Sequence, residues 1–403
     1  MKTHHQHHHH HDIVIVGGGI CGLATALALH RKGIRSTVIE RSETLRAAGA
    51  GIIVHENGWK ALELLGVAST LRLQTPISIT SGEVVSVKDG KRESVPSWGE
   101  VRAIRRSDLI GTLASELPAD SFLLGCKVVG VHFHPTTSEP LLYLHDGTVI
   151  HAKVVVGCDG LKSVVAKTSL RLDSEGAMPI SATRGFSYSP EGHNLGDKFV
   201  VHKDVASGSL LGEFPLTPNL LYWFLLRPST PQDSVACKDK KLIKESSLET
   251  VKDYPPEAQA TVRNSDEESL HLSESITYRR PWDVLTKKFR RGTVTVAGDA
   301  MHAMGPFLAQ GGSTSLEDAV VLADCMAAEL LVRPPRVVPM VLALDEYVDL
   351  RRKRVFWLSL NTYLLGAIAS PSSSRVTRSC CILLKKVLFS DPFEHLLYDC
   401  RRS

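Results

Sequence analysis

The sequence predicts an α/β protein: a parallel-sheet domain interleaved with a smaller mixed β-sheet domain and followed by C-terminal helices. Three observations predict it. The first is the order strand, glycine turn, helix, strand over Asp12 to Glu40. The second is the return, far along the chain, of two more apolar strands, Val154-Val155-Val156 and Thr293-Val294-Thr295-Val296, each ending in a turn that carries an aspartate. The third is a change to short alternating strands between about Leu172 and Trp282, after which long helical stretches take over. Runs that are apolar on both faces suit parallel strands covered by helices, whereas alternation suits a sheet with two unlike faces.

The opening stretch justifies the first domain part by part. Asp12 to Val16 is a short β-branched strand. Gly17-Gly18-Gly19-Ile20-Cys21-Gly22 follows at once and satisfies GxGxxG. Leu23 to Lys32 is an Ala/Leu-rich helix stopped by Gly33, and Ser36 to Ile39 is a second strand ended by Glu40. In such a unit Gly17 makes the tight turn, Gly19 admits a pyrophosphate to the backbone, and Gly22 lets helix and strand pack closely. The helix N-terminus offers free N–H groups to phosphate, and Glu40 can accept the hydroxyls of a ribose. This is a Rossmann-like dinucleotide fingerprint that leaves NAD and FAD undistinguished.

Beyond Glu40, Arg41 to Ala50 reads as a loop, Gly49-Ala50-Gly51 as hinges into a strand ending at Val54, and Glu56 to Leu65 as a helix ended by Gly66. Ile77 to Val95 alternates around the hairpin signal Asp89-Gly90. Val101 to Leu109 passes from strand to helix with Ser107 or Asp108 as N-cap, and Pro118 closes that helix. Leu123 to His134, Leu141 to His145 and Thr148 to Ala152 read as a three-stranded meander beside the first sheet. The second region holds strands at Ala182 to Tyr188, Lys198 to His202, Ser209 to Phe214 and Leu220 to Leu226. A hydrophilic stretch, Ser229 to Ser247, and a helical piece, Pro255 to Arg263, follow. Ser313 to Val332 is a long helix, broken by Pro334-Pro335, and Pro339 to about Ala369 is a second. The patch Arg351-Arg352-Lys353-Arg354 reads as an exposed helix face, and Cys381 to Phe389 as a packed C-terminal helix, in preference to a peripheral membrane contact. The expected division is 1–11 as leader, 12–75, 100–171 and 283–335 as the first domain, 76–99 and 172–282 as the second, and 336–403 as a C-terminal helical region.

Composition excludes several classes. The chain has 403 residues, 43% hydrophobic and 22% charged, which suits a globular protein. A net charge of +4 leaves no electrostatic footprint for nucleic acid. Of the 18 histidines, seven lie in the leader (His4, His5 and His7 to His11), which reads as a purification tag. The eight cysteines form no CxxC pair and no metal spacing, so reduced thiols, no metal and a cytoplasmic location are expected, with organelle targeting open because a tag can replace a native N-terminus. No run of about 20 apolar residues is present, so no integral membrane segment is expected.

Two further segments carry chemistry. One is Gly157-Cys158-Asp159-Gly160, and the other is Gly298-Asp299-Ala300-Met301-His302 leading to Pro306 and Gln310-Gly311-Gly312. Each sets an aspartate at the carboxyl end of a buried strand, where open α/β sheets bind ligands. A carboxylate there can hold a ribose or ribityl hydroxyl. Asp159 has an alternative reading as a helix cap. His302 reads as a structural, hydrogen-bonded histidine rather than a base.

Taken in order over about residues 12 to 325, the three segments resemble the GxGxxG, DG and GD motifs of the FAD-dependent aromatic-ring hydroxylases, the class A flavoprotein monooxygenases. The wording of Gly298 to His302, of Gln310-Gly311-Gly312-Ser313 and of Leu316-Glu317-Asp318-Ala319 is most similar to plant monooxygenases related to the zeaxanthin epoxidase branch. The resemblance implies bound FAD, with NADPH or NADH as a transient co-substrate and O2 as oxidant. It implies that Gly17, Gly19 and Gly22 meet the pyrophosphate, Glu40 the ribose and Arg41 the adenine end. It places Arg106 on the FAD, Asp159 on the FAD and the passing nicotinamide, and Asp299 on the ribityl chain. Pro306 would border the reacting face, and the N–H groups of Gly311 and Gly312 would serve the pyrimidine side of the ring. The implied chemistry is hydroxylation or epoxidation of a small aromatic or isoprenoid-like substrate through a flavin C4a-hydroperoxide. Arg184, Phe186, Phe214, Tyr222, Phe224 and Phe307 are candidate substrate walls, and no catalytic acid or base is singled out. A flavoprotein reductase or oxidase, or a non-catalytic flavin-binding redox sensor, are the alternatives on the same fold. Two departures stand out: Ala309 where the family has glycine, which restricts the loop if φ must be positive, and Lys167 where it has arginine.

Overall fold

The computed structural model describes residues 8–45, 51–97, 99–172, 175–330, 337–370, 373–389, 391 and 394–402. The expected hinge Gly49-Ala50, the break at Pro334-Pro335 and the first seven leader residues lie outside them. In chain order the first part runs β1 (His8–Val16), α1 (Ile20–Arg31), β2 (Thr37–Ile39), β3 (Gly51–Val54), α2 (Glu56–Leu65), α3 (Ala68–Gln74), β4 (Ser81–Ser86), β5 (Arg92–Pro96), β6 (Arg102–Arg105), α4 (Arg106–Ser115), β7 (Phe122–Leu123), β8 (Val128–Phe133), β9 (Pro140–Leu144), β10 (Val149–Gly157) and α5 (Val164–Leu170). Next come β11 (Gly176–Met178), β12 (Ile180–Tyr188), β13 (Lys198–Asp204), β14 (Ser209–Thr217), β15 (Leu220–Pro228), α6 (Asp233–Ala236), α7 (Lys240–Thr250), α8 (Pro256–Arg263), β16 (His271–Ser273) and β17 (Ile276–Tyr278). The chain ends with α9 (Pro281–Thr286), β18 (Arg290–Arg291), β19 (Val294–Val296), α10 (Asp299–His302), α11 (Gly311–Leu330), α12 (Val337–Ala369) and α13 (Arg375–Leu388).

The first sheet has the order β18-β19-β10-β1-β2-β7, parallel from β19 to β7, with β9 and β8 attached to β10. Ile13 to Val16 and Val154 to Val156 are buried because helices cover both faces. One such cover is α1, whose residues Ile20 to Leu29 are all buried, as a helix apolar on every side requires. Two sequence readings change here. β1 begins at His8 and pairs with β10 from Val149 onward, so the last leader residues join the sheet. Ladder bonds use backbone groups, so a polar run extends a strand where a partner edge continues. The third meander strand and the buried strand Val154 to Val156 are one strand, β10: its start pairs antiparallel with β9 while its length runs parallel to β1.

The second sheet has the order β16-β12-β15-β14-β13-β4-β5. The hairpin at Asp89-Gly90 forms its edge, and only the β13–β4 pairing is parallel. Its two faces follow period 2 along β15. Trp223 and Leu225 point to a core shared with Ile243, Val251, Tyr254, Ala258 and Val262 of the α7–α8 layer. Tyr222 and Phe224 face the other way, toward Ile53, Ala103 and Phe214. Part of the hydrophilic stretch is therefore helix: Asp239 caps α7 by accepting from the Lys241 N–H at 2.8 Å, and only Ile243 and Ser247 of α7 are fully buried. So thin an apolar stripe leaves little periodic signal. The expected caps of α4 also differ, since Arg105 holds the N-cap position and the Ser107 hydroxyl donates to Asp108 instead.

The basic patch on α12 is an exposed face only at Lys353, while Arg352 and Arg354 are half-buried. Arg351 is fully buried. Its Nε donates to Asp318 at 2.6 Å and its Nη2 to Glu317 at 2.7 Å. Arg354 reaches Glu317 at 3.0 Å, and Asn57 of α2 donates to the same carboxylate. Asp318 also accepts from the Gly298 N–H at 2.8 Å and is hydrogen-bonded to Nε2 of His302, which is buried as expected. Burial alone would raise the Asp318 carboxyl, but the His302 ring and the Arg351 guanidinium outweigh it and hold the group well below the usual carboxylate range.

A buried ion pair that loses one partner leaves a stranded charge, so Arg351→Met should cost about 3–5 kcal/mol in urea unfolding at neutral pH. The Asp318 contribution is complete above the unfolded carboxyl value of about 4 and drains away as pH falls below it, so the gap between wild type and variant should narrow in acid. An unchanged urea midpoint in the variant would contradict this reading.

Candidate active site

Two cavities meet at the carboxyl ends of β1 and β10. One, of about 280 Å³, is bounded by Gly17, Gly18 and Gly19, by Glu40 and Arg41, by Lys162 and by Asp159. The other, of about 310 Å³, is bounded by Asp299, Pro306, Gly311 and Gly312 on the first-domain side and by Arg184, Tyr222 and Phe224 on the second. Gly19, Arg106, Cys158 and Gly160 border both, so the two are lobes of one slot.

The glycines of the fingerprint divide into two kinds. A Cβ on Gly22 would sit 1.9 Å from the Gly17 carbonyl oxygen, and one on Gly17, whose φ is +108°, would sit 2.6 Å from the Cys158 carbonyl oxygen. Those two are required by the chain's own packing. Among the described residues a Cβ on Gly19 would meet only Arg106 Nη2, at 3.8 Å, and one on Gly311 would meet nothing within 4 Å. Their bareness keeps the slot open. Among the described residues no side chain caps α1 at Gly19, so its first-turn N–H groups are left for a ligand.

Arg106 stands where the lobes join, on the first turn of α4. Its Nε is buried without a hydrogen-bond partner among the described residues. Burial lowers its pKa, while Asp299 raises it. A guanidinium remains charged at any ordinary pH, so an unsatisfied one at this joint calls for an anion. The Glu40 carboxylate is held by the N–H groups of Gly18 at 2.8 Å and Ser42 at 2.9 Å, and each oxygen keeps a further lone pair. Asp159 accepts from the Ser163 hydroxyl and from the N–H groups of Val164 at 2.7 Å and Val165 at 3.3 Å, so it holds the start of α5 while it borders the slot. Burial raises its pKa against those hydrogen bonds. Asp299 faces the cavity with no side-chain hydrogen bond to the described residues, and the surrounding protein raises its pKa by desolvation.

Of the six candidate wall residues, three line the slot. Arg184, Tyr222 and Phe224 share one face of the second sheet by period 2 and by the pairing of β12 with β15. Tyr222 is admitted by Gly51, where a Cβ would meet its ring at 2.7 Å. Burial raises the Tyr222 phenol. Phe214 stacks between Phe199 and Phe224, with ring centroids 5.2 and 5.9 Å away, and stands behind the wall. Phe186 tilts against Tyr222 at 6.1 Å, and Phe307 packs with Met178, Ile180 and Ile276. Ile52, Leu226 and Met304 also line the slot. They are ordinary apolar residues without a sequence signal, and only the folded topology brings them there.

The turn that carries Gly311 and Gly312 is anchored from below. Asn57 donates to the Gln310 side-chain oxygen at 2.8 Å, and the Gln310 carbonyl accepts from the Thr314 N–H at 2.8 Å. Ala309 sits in the left-handed region at φ +51°, so its Cβ is strained there. Lys167, by contrast, is exposed and borders neither lobe. Ala309→Gly should therefore raise stability by about 1 kcal/mol in denaturant unfolding. A loss of stability in that variant would show that the turn carries no such strain.

A model of the FAD binding domain family matches residues 10–335. The chain is 42% identical over 393 residues to Monooxygenase 1 of Arabidopsis thaliana, covering 95% of this chain and 97% of the relative. It is 38% identical over 312 residues to Monooxygenase 2 of the same plant, covering 76% and 75%. The crystal structure of Klebsiella pneumoniae HpxO complexed with FAD and uric acid superposes with a TM-score of 0.77 at 20% identity, covering all of this chain and 98% of that one, which shows a shared fold. Among the described residues the bare Gly19, the Arg106 Nε without a hydrogen-bond partner and the Asp299 carboxylate without a side-chain hydrogen bond make a lining compatible with a dinucleotide such as FAD. The chain belongs to the FAD binding domain family and is one of the FAD-dependent flavoprotein monooxygenases that its three motifs resemble.

Proposed function

We propose that the chain uses NADPH or NADH and O2 to hydroxylate or epoxidise a small aromatic or isoprenoid-like molecule held between the glycine turn and the second sheet. The observation that carries this reading is the shared lobe: Asp299, Pro306, Gly311 and Gly312 face Arg184, Tyr222 and Phe224 across one cavity of about 310 Å³. The flavin ring would occupy part of that same lobe, so the space left beside Arg184, Tyr222 and Phe224 favours a small substrate.

FAD, when bound, supplies the redox chemistry that activates oxygen. This chain's residues bind, orient and shield. Arg106 and the first turn of α1 would hold and neutralise the pyrophosphate. Glu40, Arg41 and Lys162 would hold the adenosine end, and Asp299 would accept a ribityl hydroxyl with its carboxylate. Gly311 and Gly312 open α11, so their N–H groups and the helix dipole favour negative charge on the ring. Tyr222 and Phe224 present apolar ring surface to the substrate and keep water out. Arg184 has no hydrogen-bond or ion-pair partner among the described residues, so it is free to hold an acidic group of the substrate.

Substrate-stimulated NADPH or NADH oxidation by the FAD-loaded protein, followed by mass spectrometry of products formed under labelled O2, tests the reading. Label in the product is expected, and nucleotide oxidation with no labelled product from any stimulating compound would replace it with a reductase or oxidase. Arg106→Leu should weaken FAD binding by about tenfold or more in apo-protein titration, since it removes a charge-assisted contact. Arg184→Leu should keep full FAD content yet lower kcat/KM for an acidic substrate by about tenfold or more. Equal kcat/KM in the two proteins would remove Arg184 from the substrate site.

A further inference from the structure

We propose that α13 is a peripheral docking helix for an anionic lipid surface. It packs on α12, yet its apolar side faces away from the protein. Val376, Cys380, Leu383, Leu384 and Val387 recur at the i, i+4, i+7, i+8, i+11 spacing that forms one stripe. All five are exposed; Val376, Leu383 and Val387 reach 73%, 63% and 69%. Cys381, the buried residue of α13, lies off the stripe, about 100° beyond Cys380 around the helix. An ordinary surface helix shows the reverse order, apolar inward and polar outward. The patch continues past the helix end: Trp357 of α12, 40% exposed, meets Phe389 edge-on with ring centroids 6.0 Å apart.

Charge identifies the occupant. Every charged residue of α13 is a cation: Arg375, Arg378, Lys385 and Lys386. Arg375 and Lys386 are exposed and lie on one flank of the stripe, while Arg378 is tied to the Ser370 carbonyl at 3.2 Å. An apolar stripe edged by cations matches the boundary between acyl chains and anionic headgroups. A second copy of this chain would instead bring two wholly cationic helices together, which like charges oppose. At 14 residues α13 is about 21 Å long, shorter than a bilayer core, so it lies in the interface and does not cross it.

Co-sedimentation of the full chain with phosphatidylcholine vesicles containing phosphatidylserine tests the proposal, with pure phosphatidylcholine vesicles and a salt series alongside. Pelleting with the anionic vesicles is expected, weakening as salt rises and falling by about tenfold or more in a Leu383→Asp/Val387→Asp double variant. Both positions are exposed, so the variant should keep the wild-type melting temperature, and that measurement shows it is folded. Absence of pelleting at low salt, or equal pelleting by the folded variant, overturns the proposal. A vesicle-free dimer that the double variant dissociates also overturns it, and gives the face to a second copy.

Discussion

The arrangement depends first on a buried ionic cluster. Arg351 comes from α12, Glu317 and Asp318 from α11, His302 from α10, Asn57 from α2 and the Gly298 N–H from the end of the β19 turn. None of these four charged or ring side chains touches solvent. Desolvating them is costly, and only near-complete pairing offsets that cost. The pairing is directional, so it sets where α11 begins relative to β19. Asp299 and the Gly311-Gly312 turn are the two ends of that geometry. The cluster thus holds the Asp299 and Gly311-Gly312 side of the slot from beneath without touching the slot itself.

The second constraint is close approach between layers. Gly51 of β3 admits the Tyr222 ring of β15, and Gly58 of α2 admits Ser313 of α11, where a Cβ would come within 2.6 Å of the hydroxyl. The first contact brings the second sheet against the dinucleotide-type domain, and the second seats α11 on α2 within that domain. Period 2 along β15 then assigns Tyr222 and Phe224 to the cavity and Trp223 and Leu225 to the α7–α8 core. One strand therefore builds both the slot wall and the support behind the sheet.

Particular residues show why some of this was readable and some was not. The Gly17 to Gly22 turn was legible because backbone conformation and close packing leave few alternatives to glycine there. The open lobe at Gly19 and Gly311 was legible because the resemblance, and not periodicity, points to it. Asp159 kept both of its readings, as it bonds the N–H groups of α5 and borders the slot at once. The basic run Arg351 to Arg354 misled because charge in sequence suggests solvent, while its acidic partners lie more than thirty residues away on another helix. Phe214 and Phe307 misled for the opposite reason: an aromatic in a strand or turn packs equally well behind a wall as on it.

By itself, the sequence determined the α/β class and the three motif segments, whose order carries the resemblance to the family. These are local properties, in which a strand, a turn and a helix start follow one another within a few bonds. Tertiary structure decided that the two lobes join at Arg106, that Arg184, Tyr222 and Phe224 share a face, that Arg351 is buried, and that the apolar stripe of α13 faces outward. Each of those depends on which distant element lies opposite. A residue's own chemistry states what partner it requires, and only the assembled chain supplies that partner or leaves it wanting.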